Sequence, residues 1–266
     1  MTQGNSTPLH LHKAQPKLLC TEPLHRFYVR HNEIFDFLFF GTMLASRADQ
    51  VSYTAAEALA IGGSQEDIDR FEELKKNKDR ALGALARFRH IQSENMCSRL
   101  VDNFLTYVSQ LLQAILLKKP EMLRSSEMVR LDEILRFKRF KDLIAFLADR
   151  KINELGYGGL QGIEEFVKDR TGLQLVSDQD KRSSLTIAIE LRNIYTHNRG
   201  IANDLFLKRL SKVDHKFIFK LGERYHANFD TIAAFANNIF DIAQQFDSQI
   251  AQKFGLKRTK FRARKS

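Results

Sequence analysis

Arg192, Asn193 and His197 are the residues of this chain best suited to chemistry. They lie in the run Glu190-Leu191-Arg192-Asn193-Ile194-Tyr195-Thr196-His197-Asn198-Arg199-Gly200. Arginine stays cationic at any physiological pH, and histidine exchanges a proton near neutrality. Together they suit a phosphodiester, where negative charge builds on the phosphate oxygens while a proton moves. Spacing alone is a weak signal. An Arg followed by four to six residues and then a His occurs three times, as Arg26 to His31, Arg192 to His197 and Arg209 to His215. Context singles out the middle one: it closes an amphipathic helical pattern, an Asn follows the Arg, and Asn198-Arg199-Gly200 supplies a helix stop.

Geometry sets a condition on that pair. Five residues at about 100° each carry His197 roughly 140° around an ideal helix from Arg192, whereas Asn193 and His197 share a face. One helix therefore does not aim Arg192 and His197 at the same atom. Either the helix unwinds near His197, or two copies of the chain meet so that each cleft draws on both, which predicts a homodimer. The structural competitor is a pair of cations at a helix C-terminus, where each is favoured by about 0.3–1 kcal/mol.

The elements that must position these residues read as helices. Few Gly and Pro breakers and repeated three- and four-residue apolar spacing argue for an all-α fold. Residues 1–23 hold three of the four prolines and read as a flexible arm. From Leu24 to Leu59 the helical spacing assigns Phe27, Ile34, Phe35, Leu38, Phe39 and Leu44 to the core. Ser64 caps a second long helical pattern running to Lys119, with a break expected near His90 to Glu94, and Pro120 ends it. Its stripe of Leu100, Phe104, Tyr107, Leu111 and Ile115 faces the core. Shorter helices are expected over Glu127–Phe137, Phe140–Leu155 and Leu160–Arg170. Asp178 or Asp180 starts the motif helix, with Ile187, Leu191 and Ile194 buried. A short hairpin or extended segment falls near 216–226, and a last helix covers Phe229–Phe246. No heptad array is apparent. The domain expectation is therefore one helical unit over 24–250, with its motif-bearing part at 178–250, and a basic tail at 251–266.

The net charge is +10, and the stretch from Lys253 onward supplies seven of the cations with no acid. Lys257, Arg258, Lys260, Arg262, Arg264 and Lys265 in that tail are the candidate contacts to an RNA backbone; a solvated terminus is the competing reading. Cys20 and Cys97 form no metal-ligand spacing, and two cysteines in this length suit a reducing compartment. His10 and His12 lack further ligands, so no metal site is expected. Gly156, Gly158 and Gly159 lack the Gly-Lys-Ser/Thr sequence of a nucleotide loop, and no nucleophile elbow or paired Cys-x-x-Cys occurs. No secretory signal or bilayer-length apolar run is apparent, so a cytoplasmic protein without membrane contact is expected.

With Glu190, Arg192, Asn193, His197 and the following His-Asn-Arg-Gly in place, the chain resembles the HEPN family (higher eukaryotes and prokaryotes nucleotide-binding). The specific likeness covers Leu185 to Gly200, with looser similarity through Phe254. The resemblance implies an all-α helical bundle of HEPN type carrying additional N-terminal helices. It implies a metal-independent, cofactor-free endoribonuclease acting as a dimer in a toxin or antiviral setting, with an antitoxin or other regulatory protein as a further partner. Arg192, His197 and Asn193 would be catalytic, with Glu190, Tyr195, Asn198 and Arg199 in support. Members that have lost activity serve instead as modules binding RNA, nucleotide or protein, which is the alternative reading.

Overall fold

A computed structural model describes residues 10–125, 128–157 and 159–262. The described chain is helical apart from one two-stranded sheet. Helix α1 (Glu22–Ala60) starts where the Thr21 hydroxyl accepts the Leu24 amide and Pro23 occupies the first turn. Helix α2 (Gln65–Lys76) begins with a reciprocal capping box between Ser64 and Asp67. Helix α3 (Arg80–Arg87) has no cap of its own. The Asp49 carboxylate of α1 accepts the amides of Ala81 and Leu82 at 2.7 and 3.0 Å.

Helix α4 (Arg89–Lys118) is the axis of the bundle and packs against α1, α6, α8 and α10. Its whole expected stripe is buried. By length and composition α4 could cross a membrane, contrary to the expectation that no stretch is long and apolar enough. In this fold helices surround it, and its apolarity is spent on the core. After a 3₁₀ turn at Pro120–Leu123 come α5 (Leu131–Ile134), α6 (Phe140–Tyr157), α7 (Gly159–Thr171) and α8 (Gln179–Asn198), with Asp178 capping α8. Then follow α9 (Asp204–Leu210) and α10 (Phe229–Phe254).

Helix α8 runs antiparallel to α4, since Arg192 meets Asp102 while Gly200 lies against Glu94. Helix α10 runs parallel to α4: the Tyr107 hydroxyl donates to the Ala243 carbonyl at 3.0 Å, and Lys118 Nζ donates to the Gly255 carbonyl at 2.6 Å. Between α9 and α10 the chain is extended, as expected near 216–226, and its Phe217, Phe219 and Tyr225 rings pack together.

Several elements differ from their sequence reading. The helical pattern after Ser64 breaks at 77–79 and at Phe88 rather than within His90 to Glu94. Only Leu131–Ile134 is helical in the described part of Glu127–Phe137; Glu127 itself lies outside the described residues. Helix α9 had not been anticipated. Phe39 and Leu44 are exposed, not core, because α1 continues beyond the end of α4 with only α2 and α3 beside it.

Both ends of the described chain are tied down. The His12 amide donates to Asn237 Oδ1 at 2.8 Å, Asn237 Nδ2 donates to the His10 carbonyl at 2.9 Å, and His12 Nδ1 sits 2.9 Å from Asp241 Oδ1. Strand β1 (Leu19–Cys20) pairs antiparallel with β2 (Thr259–Lys260). The described part of the expected arm, residues 10–23, is thus docked on α10 and the sheet. The expected tail begins as the last turn of α10 and then contributes a strand, with Phe261 buried.

Candidate functional site

Helix α8 stays regular through Asn198, so it does not unwind at His197. Arg199 stops it in the left-handed conformation at φ 52°, and Gly200 follows at φ 77°. The Gly200 amide donates to the Ile194 carbonyl at 2.9 Å, which satisfies a carbonyl of the last turn. A Cβ at Gly200 would stand 3.2 Å from Glu94 Oε1 and 3.3 Å from Tyr195 Cδ1, so this stop needs a glycine for both its backbone angle and its space. Asn198 Nδ2 donates to the Ile201 carbonyl at 2.6 Å and braces the same turn.

Arg192 and His197 therefore keep their roughly 140° offset. Arg192 turns toward α4, where Nε and Nη2 each lie 2.8 Å from Asp102 Oδ1. His197 is exposed and has no hydrogen bond or ion pair among the described residues. Asn193 stands between the two: its Oδ1 accepts from Arg192 Nη1 at 3.3 Å, and its Nδ2 is 3.5 Å from Glu190 Oε2. Glu190 is mostly buried and accepts from Arg209 Nη1 of α9 at 3.3 and 3.2 Å. A polar line thus runs from Arg209 through Glu190, Asn193 and Arg192 to Asp102. Glu190, Asn193 and His197 share one face of α8; Arg192 occupies the next.

The supporting residues divide. Tyr195 is turned into the core, its Oη accepting the Ala227 amide at 3.1 Å, and burial pushes its phenol well above the usual range. It locks the motif helix to the segment before α10. Arg199 is exposed beside the helix end.

The two other Arg–His spacings are structural. His31 is fully buried among Phe27, Phe35 and Phe240, and burial drives its imidazole down to about 4. His215 packs on Phe217 and Phe219. Of the three matches, His197 alone stands in solvent.

Comparison with family models, curated proteins and solved structures found no match. What the site can do rests on its own residues.

Asp102, Arg209, Glu94 and His226 are neighbours that sequence reasoning missed. His226 Nδ1 lies 3.4 Å from Glu94 Oε1 and its ring meets that of His90, beside the α8 stop. Their sequence distance from the motif hides them; only Arg209 had appeared, in a spurious Arg–His match. No group of three or more His, Cys, Asp or Glu that could hold a metal ion occurs among the described residues. Both cysteines are buried, and burial raises Cys20 to about 11 and Cys97 to about 12.

The basic candidates lie elsewhere. Glu94 touches the motif end of α8, whereas Lys118 touches the end of α10, so roughly 36 Å of α4 separates the motif from the point where the tail leaves α10, at about 1.5 Å per residue. Lys257 is exposed near that end, and β2 then turns back, leaving Lys260 and Arg262 exposed beside α1. Arg262 lines a shallow groove with His25, Arg26 and Arg30. Arg258 is used internally: Nη2 donates to the Leu19 carbonyl at 2.6 Å, and Nε lies 3.8 Å from the buried Asp247. Arg264 and Lys265 lie outside the described residues.

Proposed function

We propose that this chain is an endoribonuclease of HEPN type, working as a homodimer without a metal. The observation that carries the reading is an exposed, unpaired His197 on the same helix as Arg192 and Asn193. In the reaction the ribose 2′-oxygen bonds to the adjacent phosphorus as its proton passes to the imidazole. The bond from phosphorus to the 5′-oxygen breaks, and that oxygen takes up a proton. The products are a 2′,3′-cyclic phosphate and a 5′-hydroxyl. His197 moves the proton. Arg192 stabilises the charge that builds on the phosphorane. Asn193, on the face of His197 and bonded to Arg192, orients both. Arg199 is free to hold a flanking phosphate. Because Arg192 and His197 of one chain point apart, each cleft draws them from different copies. A toxin or antiviral role under a regulatory partner in the cytoplasm fits a nuclease of this kind.

The test is incubation of single-stranded and hairpin RNA with the protein in EDTA. Wild type should cleave and leave 2′,3′-cyclic ends. His197→Ala and Arg192→Ala should each lose at least about 100-fold in rate while keeping their melting temperatures. A His197→Ala protein as active as wild type would remove the imidazole from the mechanism. One observation favours the second reading, a non-catalytic RNA- or protein-binding module: the Asp102 carboxylate neutralises Arg192 within the chain. Tight RNA binding by a wild-type dimer with no cleavage under any condition would select it.

A further inference from the structure

Helix α1 changes character along one face. Within the body that face carries Arg26, Arg30 and Glu33, which suit water. Beyond Asp36 it carries Phe37, Gly41, Leu44, Ala48, Val51 and Ala55, at alternating four- and three-residue steps. This is the spacing of a coiled-coil seam over fewer than three heptads, where the sequence reading had found no heptad array. Helices α2 and α3 pack on α1 here, yet the seam is uncovered. Phe37 is 80% exposed, Leu44 57% and Val51 67%, while a Cβ at Gly41 would meet nothing. Phe40 and Leu59 flank the seam and are more than half exposed.

The order of sizes along the seam is informative. Large residues recur every seventh position at 37, 44 and 51, and small ones at 41, 48 and 55. A parallel, in-register pair of such helices would set Phe37 on Phe37 and leave gaps at Gly41 and Ala48. An antiparallel pair with its two-fold near residue 46 sets Phe37 on Ala55, Leu44 on Ala48 and Val51 on Gly41. Every large side chain then fills the space a small one leaves, and small residues let the backbones approach closely. The face is complementary to itself, as an isologous contact requires. The exposed large side chains offer roughly 700 Å² of apolar surface per copy, against about 800 Å² per partner in a standard interface.

We propose that the outer half of α1 is a homodimer seam, taking a second copy of this chain in antiparallel register through Phe37, Leu44 and Val51. This does not rest on the ribonuclease reading. It concerns α1, not α8, and its readout is assembly, not cleavage.

The experiment is sedimentation velocity on the full chain at 1–50 μM, on the order of concentrations at which an interface of this size is occupied. Wild type should self-associate through this seam. Leu44→Glu and Val51→Glu should each lose that association step and sediment as a smaller species than wild type, with helical signal and melting temperature within a few degrees of wild type, because both side chains face solvent in the single chain. Orientation is read from an Ala58→Cys spin label; the native cysteines are buried and do not compete. Antiparallel pairing places the two labels roughly 35 Å apart along the seam at about 1.5 Å per residue, and parallel pairing roughly 10 Å. Each of four results would overturn the proposal: a monomeric wild type, an assembly whose size both substitutions leave unchanged, a short label separation, or a monomer whose α1 face binds lipid vesicles instead.

Discussion

Among single residues, Arg192 is held by a carboxylate from a distant helix. Asp102 is half exposed and takes two of the guanidinium's nitrogens. To engage a phosphate, Arg192 must trade that carboxylate for the phosphoryl oxygens. Asp102→Asn keeps the shape and removes the competing charge. RNA should bind severalfold more tightly at low salt, with kcat within about threefold of wild type, as expected when only ground-state charge neutralisation changes. A hundredfold fall in kcat would instead make Asp102 a positioning residue. Arg192, Asn193 and His197 could be singled out because residue type, local order and a glycine stop coincide within eleven positions. Asp102 lies ninety residues away on another helix, and nothing local marks it. Tyr195 shows the converse: it sits inside the motif but serves the core.

Among the elements, α4, α8 and α10 were readable because a helix buried along one stripe writes its burial at a 3.6-residue period. Helix α1 was readable only as far as Phe35. Beyond it, apolar residues continue on several faces, so no pattern could say which face meets α2 and α3 and which is left open. Inside the body, α1 carries a different consequence in His31. Burial lowers its imidazole from 6.5 to about 4, and neither ring nitrogen has a partner. As pH falls below 6.5 the unfolded chain takes up a proton that the folded chain refuses until about 4. Stability is therefore full above 6.5, declines through this window and levels off below it, by about 3 kcal/mol in all. Denaturant titrations at pH 7 and 4.5 should show this loss in wild type and a smaller one in His31→Leu. Equal losses would mean that other groups set the acid response.

For the whole molecule, the distribution of charge matters as much as the motif. Lys257 stands near the Lys118 end of α4, whereas β2 turns back and carries Lys260 and Arg262 alongside α1, so these cations run along a flank of the bundle instead of forming a patch at one end. The sequence could count these cations but not place them. Nor could it tell that Arg258 and Phe261 are structural, since that depends on a strand pair closed across some 240 residues. Replacing Lys257, Lys260 and Arg262 with Ala should lower the slope of log affinity for RNA against log salt by about 2. An unchanged slope would leave these cations as solvated surface. A mixing experiment probes the shared cleft. Arg192→Ala and His197→Ala proteins, each inactive, should regain about a quarter of wild-type activity when mixed and allowed to exchange, because half the dimers are mixed and each has one of two clefts intact. No recovery would mean that each cleft is built within one chain.

Under the proposed shared cleft, the regular end of α8, which holds Arg192 and His197 apart, also sets a dose response. A chain carrying only half a cleft is silent alone. Well below the dissociation constant of the pair, a twofold rise in synthesis gives about a fourfold rise in active species. Slow leakage from the gene would then be harmless and a burst of expression would not. A partner needs only to bind the free chain, with no need to block the catalytic groups, to keep the cell below that threshold.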